Sequence, residues 1–98
     1  MTNLTEDLHA HDIRELKGKL HHLKPVVIVG ANGLTQAVIE EIDRALETHE
    51  LIKVRTLLSA GEELTDIAHK ICEKTNSALI QTIGHIVAIY RKNVLAEE

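Results

Sequence analysis

Val26-Val27-Ile28-Val29-Gly30-Ala31-Asn32-Gly33-Leu34-Thr35 is the stretch that decides the fold. Its four consecutive β-branched residues read as a strand buried on both faces, the habit of parallel strands. Two glycines then break the strand. Thr35 stands ready to cap a helix, with Leu34 placed to staple against Ile39 one turn inside. A strand that hands over directly to a helix opens a parallel α/β arrangement.

Working outward, Ile13, Leu16, Leu20 and Leu23 recur at helical steps, with Gly18 weakening that helix and Lys24-Pro25 ending it. Downstream, Val38, Ile42, Ala45, Leu46 and His49 share one helical face, while Glu40, Glu41, Arg44 and Glu47 lie largely outside it. Residues 52–57 alternate, setting Ile52, Val54 and Thr56 against Lys53, Arg55 and Leu57, as in a strand with one wetter face. Ser59 and Glu62 have capping-box spacing ahead of an amphipathic helix carrying Leu64, Ile67, Ala68, Ile71 and Cys72. Asn76 suits a left-handed stop. Residues 78–83 and 86–91 then form two strands joined at Gly84-His85. The order α-β-α-β-α-β-β predicts an α/β fold, a mixed four-stranded sheet with three helices.

The chain of 98 residues suits one domain spanning 1–98. A single Cys excludes a disulfide framework and suits a reducing compartment. No apolar run approaches the roughly twenty residues a membrane helix needs. Residues 1–7 lack the basic and apolar regions of an export signal. A soluble, cytoplasmic protein that avoids membranes is expected. Tyr90 is the only aromatic residue, so a platform that stacks bases on aromatic rings is nearly ruled out.

Catalysis finds no footing. The seven histidines do not assemble a metal set: His9 and His11 are two apart, His21 and His22 are adjacent, and His69 with Cys72 has no second pair. No nucleophile elbow is present, and Cys72 falls on an apolar stripe. The carboxylates sit on outward helix faces. A non-enzyme is expected, with no cofactor, metal or small-molecule substrate.

Gly30-Ala31-Asn32-Gly33 is the feature that offers chemistry. Glycines let a ligand approach the backbone, and the N–H groups and dipole of the following helix favour an anion. It is neither a Walker loop nor a dinucleotide fingerprint, and by itself it is equally a tight strand-to-helix turn. The net charge of −4 hides a polarised chain. Residues 14–24 set Arg14, Lys17, Lys19 and Lys24 against Glu15, net +3, whereas residues 36–50 hold five acids against Arg44, net −4. A positive segment attracts a polyanion even on an acidic whole.

Residues 16–25 running into 26–35, followed by Glu50-Leu51-Ile52-Lys53-Val54 and by residues 83–91, resemble the YhbY-like CRM (chloroplast RNA splicing and ribosome maturation) domain in the same order. The resemblance covers about residues 12–92. It implies a fold similar to the C-terminal domain of translation initiation factor three, and RNA as partner. For single-domain bacterial members it implies assembly of the large ribosomal subunit on ribosomal RNA or its precursors. It also implies that the Gly-x-x-Gly loop, here Gly30, Ala31, Asn32 and Gly33, contributes to the RNA surface, with matching basic positions at Lys17, Lys24, Lys53 and Arg91. His21, in the basic segment, would join when protonated, so that affinity rises as pH falls towards 6. The reading from another class is a protein-interaction adaptor that docks a basic partner on the acidic face around Glu40, Glu41 and Glu47.

Overall fold

The structure, a computed structural model, describes residues 10–59 and 61–92. The segment read for an export signal, and His9, lie outside them. The elements are α1 (Ala10–Lys19), continued by one 3-10 turn over Leu20–His22, then β1 (Pro25–Val29), α2 (Gln36–His49), β2 (Leu51–Thr56), α3 (Gly61–Thr75), β3 (Ala78–Ile83) and β4 (Ile86–Tyr90). This is the expected α/β order, three helices on a mixed four-stranded sheet. The strands lie in the order β1-β2-β4-β3. β1 and β2 are parallel, and β4 runs antiparallel to both β2 and β3. The final hairpin therefore inserts its second strand beside β2 and leaves its first at the far edge.

The two faces of the sheet are treated differently. On one, Val27, Val29, Ile52, Val54, Val87 and Ile89 meet Ile42 and Leu46 of α2 and Leu64, Ala68 and Ile71 of α3 in the main core. Eleven fully packed apolar side chains there supply most of the hydrophobic stabilisation, at about 25 cal/mol per Å² of apolar surface removed from water. On the other face Leu20, Leu51, Ile80 and Ala88 form a smaller cluster, with Leu16, Leu23 and Tyr90 packed against it.

That asymmetry corrects the reading of β1. It is not buried on both faces: Val26 is 45% and Ile28 56% exposed, whereas Val27 and Val29 are buried. β1 is an edge strand, and the apolar side chains of α1 and its 3-10 turn pack on Leu51, Ile80 and Ala88 of the other strands, leaving Val26 and Ile28 exposed. The run of β-branched residues serves one buried face.

Local punctuation follows the sequence closely. The Thr35 side chain accepts the Val38 N–H at 3.2 Å, Asn76 ends α3 at φ 52°, and Gly84 begins the hairpin turn at φ 59°. The exception is Ser59. With α3 beginning at Gly61, Ser59 stands one residue too early to cap it, and its hydroxyl donates to Glu63 at 3.2 Å instead of pairing with Glu62.

Candidate nucleic-acid interface

Three connections converge at one end of the sheet. β1 and β2 both finish there, and the β3–β4 turn returns to it. The Leu57 N–H donates to the Val29 carbonyl at 3.0 Å and the Thr56 N–H to the His85 carbonyl at 2.8 Å. Buried Thr56 sends its hydroxyl to the carbonyls of Ser59 at 2.9 Å and His85 at 3.1 Å. The His85 ring closes the set, its Nδ1 donating to the Ser59 carbonyl at 2.9 Å.

The Gly30–Gly33 loop sits on this braced end. It is closed by the Gly33 N–H donating to the Gly30 carbonyl at 3.1 Å. Gly33 takes φ 72°, a conformation in which a side chain is strained. Gly30 has no such demand: its φ is not positive, and a Cβ there would meet no heavy atom within 4 Å. Ala31 and Asn32 are exposed. Thr35 satisfies the Val38 N–H and its carbonyl accepts the Ile39 N–H, so the N–H groups of exposed Gln36 and Ala37 head α2 without helical partners. The arrangement suits an anion.

The basic side chains sort into three groups. Lys17, His21 and Lys53 line one cavity of about 290 Å³ with Gly18 and Gln81, on the face away from the main core. Lys53 reaches across to donate to the Leu23 carbonyl at 3.0 Å, which fixes its ammonium there. Lys24 turns elsewhere. It lines a second cavity of about 420 Å³ with Lys19, His22, His49 and Glu50, at the start of β1, and the five strand residues between put it about 20 Å from the loop.

Arg91 is not brought to either group. Its guanidinium bonds Asp43 Oδ1 at 2.6 Å, the Thr75 carbonyl at 2.8 Å and the Asp43 carbonyl at 3.0 Å. Its side chain is only 16% exposed. It clamps α2 and α3 to the end of β4, opposite the loop, and its charge has a structural partner.

One residue left out of the expected site belongs near it. Arg55 pairs with Ile28 of β1 on one side and Ile86 of β4 on the other, and Ile86 with Ile83 of β3. This row crosses the whole open face, and only Val29 separates Ile28 from the loop. Ile28 is 56% and Ile83 63% exposed, and Arg55 is exposed with no ionic partner among the described residues. The alternation of residues 52–57 already placed Arg55 beside Lys53. What it could not convey is that Lys53 lies beside α1 whereas Arg55 stands exposed beyond it.

Cys72, on α3, is half-buried against the main core, and burial pushes its thiol up, partly offset by a hydrogen bond with Ser77. Among the described residues no three metal-ligating side chains gather, and no helix is long and apolar enough to cross a membrane.

Fold and loop together define a small α/β domain with an anion-suited glycine loop beside a cationic, uncovered sheet face. The model of the CRS1 / YhbY (CRM) domain matches residues 8–91, and the chain belongs to that family. It is 50% identical over 76 residues to an RNA-binding protein of Haemophilus influenzae, covering 78% of this chain and 77% of that one. Over 80 residues it is 44% identical to a probable RNA-binding protein of Pseudomonas aeruginosa, covering 82% and 77%. The solution structure of a Staphylococcus aureus protein, described as a candidate RNA binder, superposes with a TM-score of 0.78 at 34% identity, covering 87% of this chain and 88% of that one.

Proposed function

We propose that this chain is a non-catalytic RNA-binding module, one domain over residues 1–98, serving assembly of the large ribosomal subunit on structured RNA. The observation that carries the reading is the shared placement of the Gly30–Gly33 loop, Arg55, and the Lys17–His21–Lys53 group around the open sheet face. RNA phosphates would lie against the loop amides and the head of α2, with Arg55 and Lys53 neutralising charge and Lys24 contributing at the far margin. Arg91 has no part in it. The sole aromatic, Tyr90, packs against the smaller cluster, so recognition would run through backbone and shape. The names of the relatives support RNA as the partner.

The test is a titration of the purified protein with a large-subunit ribosomal RNA fragment, with no other protein present, across a salt series. Three or four phosphate contacts give a log K against log salt slope of about −2 to −3. Gly30→Asp is the cleaner loop variant, since Gly33→Asp also strains the backbone. It should weaken binding about tenfold with an unchanged circular dichroism spectrum. A slope near zero, or no binding, overturns the reading. In that event the exposed Glu40, Glu41 and Glu47 side of α2 becomes the surface to test against basic ribosomal proteins.

A further inference from the structure

We infer that the cavity between α1 and the sheet is a pocket for one unpaired nucleotide of the bound RNA. The inference rests on the RNA-binding reading above and goes beyond it, because a phosphate track needs no cavity. The floor is aliphatic, formed by Leu20, Ile86 and Ala88, and Lys17, His21 and Lys53 stand around it as cations or donors. A volume of about 290 Å³ is at the small end of ligand pockets, roughly 300–1,000 Å³. It fits a base with its sugar and nothing longer.

Two further features point to an occupant. Gln81 is half-buried on the wall, and its amide is held by no described side chain and stays open to solvent, since no buried polar side-chain atom lacks a partner. An amide presents a donor and an acceptor side by side, which is how side chains read a base edge. Gly18 lies within α1 at the cavity, where its φ is not positive and a Cβ would touch nothing within 4 Å. Neither conformation nor crowding requires glycine there, and glycine weakens the helix. What it leaves is open space above the cavity. Of the five glycines, only Gly18 and Gly30 lack a positive φ, and they border the pocket and the loop. A base laid on an aliphatic floor beneath lysines needs no aromatic ring. Sequence-dependent RNA recognition draws on such splayed-out bases.

The experiment titrates isotope-labelled full-length protein with the four ribonucleoside 5′-monophosphates and, separately, with inorganic phosphate, following backbone amide shifts. At least one nucleotide should give saturable shifts at Gly18, His21, Lys53 and Gln81 below about 10 mM, well beyond those from phosphate. Gly18→Leu and Gln81→Ala should each weaken that binding about fivefold or more with no loss of thermal stability, Gly18→Leu melting if anything higher through helix propensity. Equal shifts from phosphate overturn the pocket and leave only an anion site, and the absence of saturable shifts overturns it outright. If both variants hold the ribosomal RNA fragment as tightly as the parent, the pocket fails while the RNA-binding reading stands. If the parent itself does not bind the fragment, that reading has failed and the pocket falls with it.

Discussion

The two faces of one sheet differ in almost every respect. Under α2 and α3 the strands present Val27, Val29, Ile52, Val54, Val87 and Ile89, all at 3% exposure or less. On the opposite face the same strands present Lys53, Arg55, Gln81 and Ile83, and only Ile80, Ala88 and Leu51 are closed over by α1 and its 3-10 turn. One face holds the molecule together, and the other is kept open at the cost of exposed Val26, Ile28 and Ile83. Strands of period two thus separate stability from recognition residue by residue.

Substitutions can break or sharpen that contrast. Ile71→Ala removes a side chain with no exposure and should destabilise by about 2–5 kcal/mol in urea unfolding. A smaller loss would mean that the helix-covered face is loosely packed. Arg91→Ala orphans two carbonyls and Asp43 and should lose about 2 kcal/mol, since hydrogen bonds to a charged group contribute about 1.5–3 and Asp43 is partly solvated. RNA affinity of the folded variant should not change. A drop in affinity at unchanged stability would move Arg91 into the interface.

Gly18→Ala should raise stability by about 0.5–1 kcal/mol through helix propensity, read from the same urea curves. Ile28→Thr, on the open face, should stay within about 0.5 kcal/mol of the parent. A core-sized loss there would show that this face is covered in solution. Smallest in energetic terms, the Cys72 thiol should alkylate more slowly at neutral pH in the folded protein than in urea, because burial disfavours the thiolate. Equal rates would contradict its burial.

Most of the architecture was legible because local rules agree with the tertiary outcome. The Thr35 cap, the Asn76 stop, the Gly84-His85 turn and the Leu64–Ile71 stripe all fall where propensity and periodicity put them. β1 was misread because composition cannot distinguish a central strand from an edge strand, and the position of α1 settles that. Ser59 was misread by one residue, since cap spacing alone does not say where Gly61 lets α3 begin. For the interface, charge counts separated the basic and acidic segments but could not place Arg91 against Asp43, 48 positions away. Arg55 was visible as a strand cation, yet its value depends on the roof that is missing above it.

The account turns on which face meets the polyanion. Amide shift mapping of the folded protein with a large-subunit ribosomal RNA fragment tests this directly. Perturbations should gather at Gly30–Gly33, Gln36, Lys53 and Arg55, leaving the outer sides of α2 and α3 silent. Perturbations confined to those outer helix sides, with the loop and β2 unmoved, would contradict it.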